Sequence, residues 1–590
     1  MIGALQLGYR SAVSIMFSFF RNEKLRSRLS QIFGLDTRSL AAARIALGLL
    51  IVLDVYGRVI DFNTFYTEAG VLPRAKVLEL YHRTEYVSLF LASGASWWTG
   101  VCFAIEALAG ACFMLGYRTR TSLWIAWFMM LGCHARFSPV LQAGDLLLRL
   151  LLFWSFFLPM GARFSLDSMK KRVTHGKDAT VVGLATFAVL FQVSAVYIWT
   201  GLLKNGREWL DGTAVYYALR LDYFAKQPLT DMLLAQETLM EYMTHFTLYF
   251  ELYGPFILLV PFFFGIVRSV VVLAFMGLHV GFFFFLEIGL FPWISIASWV
   301  FLLPGWFWDK CGWRLPGAEN DVHRLIYGDW FRSASSRLGY GVRFVLLNGP
   351  ILLFLWIVFQ WNMTTLVGAG PTPITGPISI DAKGWKVTGI QRTIALTLRL
   401  DQKWSMFAPY PIKDGGWYAM PGVLISGDEV DLWQGGEPKW ATEEEKSSWT
   451  KILPKKGQED EVRYRLTREH PEDVSGMYTN QRWRKYMRRI WQKKHKALRL
   501  PYGQYMCRTW NAEHSGKDKL KTFKIVYMKD PTPKPGKSTE VEPYVIWSHN
   551  CFKSNSAKTA ASKSPKKAVT HPSSKTKTVR KPRLQTSKQE

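Results

Sequence analysis

Apolar residues run in long blocks separated by short charged gaps from Ser39 to about Asn362. After about residue 375 the pattern changes, and single apolar residues alternate with Lys, Glu, Asp and Gly. A helix needs about 20 mostly apolar residues to cross a bilayer. Blocks at approximately 39–60, 95–116, 121–137, 145–161, 179–203, 245–266, 269–288, 290–304 and 343–362 therefore predict nine α-helical spans, of which the third, fourth and eighth are short enough to be tilted or re-entrant. Ahead of them, Met1 to Phe20 has no basic stretch before its apolar part and leads into Arg21, Lys24, Arg26 and Arg28. That is the pattern of an amphipathic helix lying on a membrane, not of a cleaved signal.

The later part reads as a small α+β domain. Ser426-Gly427-Asp428 between two alternating runs signals a hairpin. A helix is predicted over about 480–499, with Trp483, Met487, Ile490 and Trp491 on one face and Arg482, Lys485, Arg488, Arg489, Lys493, Lys494 and Lys496 around it. That basic face is either solvated or set against anionic headgroups. Strands are expected at about 520–528 and 542–548. The organisation is then an amphipathic N-terminal segment (1–34), a membrane domain (35–305), a cytoplasmic loop (306–342), a last span (343–362), an external α+β domain (376–552) and a basic tail (553–590). In fold class this is a polytopic α-helical membrane bundle of about nine spans, plus a small external α+β domain and a disordered basic tail.

Composition sharpens this picture. An aromatic share of 15 %, with 25 Trp and 39 Phe, suits a lipid setting. The net charge of +28 would suggest nucleic acid if it were spread over a folded surface. Much of it lies instead in Lys553 to Glu590, which has almost no large apolar residue to bury and reads as a solvated tail, with anionic lipid or another polyanion as the partner it could attract. Lys and Arg also mark every second gap between spans: Arg118 and Arg120, then Arg163 to Lys177, then Arg268, then Lys310 to Arg337. Positive loops stay inside, so the N-terminus is predicted to be cytoplasmic and residues 376–590 external. Cys507 and Cys551 are then the cysteines of the external part, where an oxidising compartment permits a disulfide. No Cys or His grouping has metal-ligand spacing, so no metal is expected.

Ionisable groups inside spans are costly and usually face the bundle interior. Arg44, Asp54 and Arg58 fall in the first span, and Asp54 and Arg58 can pair at i, i+4. Glu106, Asp145, Arg149, Glu251 and His279 fall in later ones. Each is either a satisfied structural residue or part of a polar chamber. The segment YIWTGLLKNGREWLDGTAVYY, Tyr197 to Tyr217, places a lone Lys204 at the end of an apolar span, with Trp209, Asp211 and Gly212 beyond it. A boundary lysine is either a snorkelling anchor or, in apolar surroundings, a general base.

These residues carry a resemblance. DTRSLAAARIALGLLIVLD, LGYRTR followed by GDLLLRLLLFWSFFLP, YIWTGLLKNGREWLDG and LHVGFFFFLEIGLF resemble the horizontally transferred transmembrane (HTTM) domain family, the membrane-domain family of vitamin K-dependent gamma-glutamyl carboxylases and many bacterial membrane proteins. The resemblance covers roughly residues 35 to 305. In the carboxylase a lysine takes a proton from reduced vitamin K, oxygen then generates a strong base, and carbon dioxide adds to a glutamate carbanion. Lys204 matches that lysine, and His279, before Ile288, Gly289 and Phe291, matches the family's membrane histidine. The resemblance thus implies Lys204 and His279 as catalytic residues; Tyr197, Trp209, Asp211, Arg44, Asp54 and Asp145, read from their places in and beside the spans, are candidates for substrate or cofactor binding. It also implies a reduced quinone of the vitamin K type as cofactor, an acidic peptide as substrate and a bacterial inner membrane as the location. The chain departs from the pattern where the carboxylase has Asn-His before the fourth span, here Ala143, Gly144 and Asp145, and where an Asn follows the membrane histidine, here Phe282. The family's C-terminal propeptide-binding region is not recognisable.

Three classes of function follow: a membrane enzyme acting on a lipid-soluble quinol, a non-catalytic membrane scaffold or transport component whose role lies in the external domain, and a polyanion binder acting through the tail. Transport is disfavoured, because neither an internal repeat nor paired broken helices occur in the sequence.

Overall fold

The computed structural model describes residues 23–81, 83–169, 180–226, 229–312, 340–366, 383–440, 470–534 and 537–552. The predicted surface helix of Met1 to Phe20, most of the 306–342 loop and the basic tail lie outside the described residues.

Each apolar block of the sequence coincides with a helix. After α1 (Glu23–Phe33) these are α2 (Thr37–Val59), α3 (Ser96–Leu115), α4 (Thr119–Arg136), α5 (Ala143–Ser155), α6 (Leu184–Leu203), α7 (Glu237–Ile257), α8 (Phe264–Phe285), α9 (Phe291–Val300) and α10 (Tyr340–Thr365). Among the described residues four of them, α2, α3, α6 and α8, are long and apolar enough to cross a membrane by length and composition. At 1.5 Å per residue, α5 and α9 reach only about 20 Å and 15 Å, short of a hydrocarbon core of about 30 Å.

Close helix packing has a local cause. A Cβ on Gly48 of α2 would lie 2.6 Å from the Met114 backbone, and one on Gly110 of α3 would lie 2.7 Å from Ile51. Small residues on both helices let the two backbones approach, as in other membrane bundles. Before α2, the short strands β1 (Leu35–Asp36) and β2 (Thr180–Val181) pair antiparallel and bring the start of α2 beside the start of α6. Asp36 caps α2 by accepting from the Arg38 N–H at 2.7 Å.

The second unit is a five-stranded antiparallel sheet. Its strands are β3 (Asp414–Ala419), β4 (Pro421–Leu424), β5 (Glu429–Asp431), β6 (Leu520–Pro531) and β7 (Glu542–Asn550). The long β6 is central. β3 and then β4 run along one of its edges and β7 along the other, and β4 pairs with β5 through the Ser426–Asp428 turn. α11 (Gly389–Thr397) precedes the sheet, and α12 (Gln481–Trp491) and α13 (Arg499–Glu513) pack against it. Cys507 on α13 is bonded to Cys551 just beyond β7, S–S 2.08 Å.

Two expectations change here. The helix predicted over 480–499 stops at Trp491, Gln492 is extended, and a new helix begins at Arg499. Arg499 explains the break: its guanidinium donates to the carbonyls of Ile490 at 3.0 Å and Trp491 at 3.1 Å, satisfying the end of α12. The segment LDQKWSMF, Leu400 to Phe407, falls in the range assigned to the external domain, yet it packs into the bundle core. Trp404 is fully buried, and Gln402 is held between the Trp404 and Gln192 side chains at 2.7 Å and 2.9 Å, with Trp154 donating to Gln192 at 3.2 Å.

Candidate functional site

α6 ends at Leu203, and Lys204 is its cap residue, with its N–H on the Gly201 carbonyl at 3.1 Å. Its side chain is 2 % exposed. The amine meets Glu251 of α7, Nζ to Oε2 2.5 Å, and lies 4.0 Å from the centre of the Trp209 ring. A cation placed on an indole face gains electrostatic attraction in addition to its ion pair. The lid over this pair is fastened by the segment before β3: the Trp209 Nε1–H donates to the Phe407 carbonyl at 2.9 Å and the Gly206 N–H to the Pro409 carbonyl at 2.8 Å. A Cβ on Gly206 would lie 2.7 Å from that carbonyl, so the approach requires glycine. Lys413 closes the rim by pairing with Glu208.

Two helical turns up α6, Tyr197 faces the same side as Lys204, about 10 Å away along the axis. Trp299 of α9 donates to the Tyr197 hydroxyl at 2.7 Å, and that hydroxyl lies 2.6 Å from His279 Nε2. An indole nitrogen only donates. Tyr197 therefore accepts from Trp299; with its own proton directed to Nε2, the neutral imidazole carries its proton on Nδ1. Nδ1 is buried and has no partner. Phe275 stacks on Trp299 and on Phe250, each at 4.1 Å, and walls the group with aromatic surface.

A third constellation centres on Arg58. Its Nε donates to Asp54 at 2.7 Å, Nη1 to the Tyr66 hydroxyl at 3.0 Å and Nη2 to Asp145 at 2.6 Å, and Nη2 also meets His134 Nε2 at 3.3 Å. Arg482 of α12 reaches the other Asp54 oxygen at 2.6 Å. Ligand atoms of Asp54, His134 and Asp145 lie within 4.8 Å of one another, a spacing a metal ion could use. Arg58 donates to both carboxylates, so a cation already fills that role. Glu106 is fully buried nearby, and neither of its oxygens has a hydrogen-bond partner.

The candidate residues thus fall into separate groups rather than one chamber. Lys204 and Trp209 share one site with Glu251; Tyr197 and His279 form the next; Asp54 and Asp145 belong to the Arg58 centre. Arg44 lies apart, donating to the Phe164 carbonyl, and Asp211 is exposed and accepts from the Thr213 hydroxyl at 2.6 Å. Their separation follows from position: Arg44 sits nearly three turns from Asp54 on α2, and Asp211 follows the Arg207–Leu210 turn on the surface. Arg482, expected on a face either solvated or set against anionic headgroups, is instead 5 % exposed against Asp54. Sequence reading missed His134, Trp299 and Asp401. No short spacing links them to their partners, and only the folded chain brings them together. A cleft of about 480 Å³, lined by Gln31, Asp36, Phe263, Arg268 and Trp306, lies at the start of α6, about 30 Å from Lys204 by helix length.

In the sheet domain, His470 Nε2 lies 2.9 Å from Asp222, and this hydrogen bond raises the imidazole above its ordinary value against the opposing effect of burial.

Residues 34–306, just under half of the chain, match the family model described as the HTTM domain. No curated protein and no solved structure matches the chain.

Proposed function

Because the chain is a member of the HTTM family and so a membrane protein, we propose that it is a membrane enzyme in which Lys204 moves a proton to or from a lipid-soluble substrate. The observation that carries this reading is the Lys204–Glu251 pair: an amine 2 % exposed, one carboxylate at 2.5 Å and an indole face closing the third side. Burying a charge pair costs more than most structural roles return, so its presence at the end of a membrane helix favours a chemical role. Glu251 holds or releases the proton that Lys204 exchanges, and Trp209 keeps water from the amine. The Tyr197–His279 dyad lies on the same side, with an imidazole N–H that has no acceptor.

A reduced quinone of the vitamin K type fits these residues in its polar groups, since a ring hydroxyl can donate to an amine and accept from the His279 Nδ1–H. When bound, such a group supplies the acidic hydroxyl. Its arrival at Nζ requires Glu251 or Trp209 to give way. The substrate we assign is an acidic peptide, with carboxylation of glutamate or related chemistry as the outcome. In this reading the bundle crosses a bacterial inner membrane about nine times, with the short α5 and α9 as re-entrant or incomplete crossings, a cytoplasmic N-terminus and an external sheet domain. The Cys507–Cys551 disulfide suits an oxidising compartment there, and the basic tail would meet anionic lipid or another polyanion.

The second reading is a non-catalytic scaffold, favoured by the full pairing of Arg58 with Asp54, Asp145 and Tyr66. Incorporation of labelled bicarbonate into a glutamate peptide, with reduced vitamin K and purified protein, separates the two. Incorporation that disappears in Lys204→Ala supports the enzyme. Absence of both incorporation and quinol epoxidation in the wild type refutes it.

A further inference from the structure

Arg149 of α5 is 1 % exposed, and only one of its three nitrogens is used: Nη2 lies 2.5 Å from the Asp401 carbonyl and 3.2 Å from the Asp401 carboxylate. Nε and Nη1 are buried and have no hydrogen-bond partner. One turn earlier on the same helix, Asp145 lies 3.8 Å from His134. The His134 Nε2 faces Arg58 Nη2 at 3.3 Å, and because a guanidinium cannot accept, Nε2 is the acceptor. The His134 proton is then on Nδ1, which is also buried and without a partner. His134, 3.8 Å from Asp145, and Arg149, one turn beyond Asp145, thus present three buried N–H donors with no acceptor, whereas buried donors in folded proteins are nearly always satisfied.

The charge around them has a sign. Arg58 lies 3.3 Å from His134, Arg482 bonds Asp54, and Arg149 and Arg399 meet at Asp401, while Asp145 lies 3.8 Å from His134. Asp54 and Asp145 are bonded to Arg58 and Arg482. Arg149 and Arg399 share a single carboxylate, Asp401, at 3.2 Å from each. One positive charge is left on that side. Arg399 is held in the left-handed region, φ 53°, and its guanidinium lies 4.4 Å from the centre of the Tyr86 ring. Asp401 is about a quarter exposed, so the Arg399–Asp401 turn reaches the surface beside Tyr86.

We propose that Arg149 and His134 form a binding site for a small oxyanion, a carboxylate or carbonate monoanion, roofed by the Arg399–Asp401 turn. Guanidinium edges take such planar anions in charge-assisted bonds, and a monoanion matches the residual charge. The site is distinct from Lys204 and does not depend on any chemistry there.

The test uses the full chain in nanodiscs of zwitterionic lipid. Thermal unfolding midpoints are recorded with formate, acetate or bicarbonate against chloride at equal ionic strength, and with a glutamate peptide against its glutamine counterpart. A saturable rise with an oxyanion is expected, with affinity weakened about tenfold or more in Arg149→Gln and partly kept in Arg149→Lys. A response to the free anions identifies a soluble monoanion as the ligand, and a response to the glutamate peptide alone identifies a side-chain carboxylate. Should Arg149→Gln fail to fold, the ¹⁵N resonance of His134 Nδ1 in wild type must move with formate and not with chloride. A wild type that responds to no oxyanion, or a variant that responds equally, overturns the proposal and leaves the donors to water.

Discussion

Arg482 of α12 donates to Asp54 in the first membrane helix, Nη2 to Oδ1 at 2.6 Å, joining residues 428 apart in sequence. The sheet domain is thereby tied into the bundle by a buried charge, with Asn480 and Trp483 adding bonds to Asp61 at 2.5 Å and 3.0 Å. Removing one partner of a buried pair costs about 3–5 kcal/mol. Arg482→Met should lower the thermal midpoint and expose the 470–480 turn to protease. The double variant with Asp54→Asn should be less destabilised than the sum of the singles, and a strictly additive cycle would contradict the direct pairing.

Lys204 and Glu251 provide a sharper contrast between structure and chemistry. Lys204→Met alone strands a buried carboxylate and should cost about 3–5 kcal/mol, while Lys204→Met with Glu251→Leu should return close to wild-type stability. Activity should be absent in both. Recovery of stability together with activity in the double variant would remove Lys204 from the chemistry.

The His470–Asp222 contact predicts a pH dependence. Because the folded imidazole is raised by Asp222, its contribution is fully present below the ordinary histidine value of about 6.5 and is lost as pH rises through the raised folded value. The side chain is 39 % exposed, which keeps the effect small. Denaturant titrations of wild type and Asp222→Asn from mildly acidic to mildly alkaline pH should converge at the alkaline end. A gap between them that persists there would point to packing instead.

The Cys507–Cys551 bond closes a loop with a sequence separation of 44. Loop-closure entropy alone sets a stabilisation of up to about 4 kcal/mol. Cys551→Ser should shift the unfolding transition of the sheet domain by no more than that, and Cys311→Ser, exposed and unbonded, should not shift it.

Much of this architecture is legible in the sequence because it rests on local pattern. Apolar runs place the helices, alternation places β6 and β7, and i, i+4 spacing pairs Asp54 with Arg58. What is not legible depends on distant partners. Nothing near Arg149 announces Asp401, 252 residues away, and the basic stretch around Arg482 reads as a wet surface until Asp54 lies against it. Lys204 is visible as an odd charge at a span end. Its enclosure by Trp209 depends on the Phe407 and Pro409 carbonyls, which belong to a segment the pattern assigns to another domain. The break at Gln492 is hidden for a similar reason, since Arg499 caps α12 through space.

The bond between Arg482 and Asp54 also sets an order of assembly. Asp54 is synthesised and inserted with the first span, and its second oxygen waits for a guanidinium that emerges 428 residues later. At about 5–20 residues per second that interval is roughly 20–90 s. During it Asp54 has only Arg58, which it shares with Asp145, so the charge pairing inside the bundle is completed by the arrival of α12.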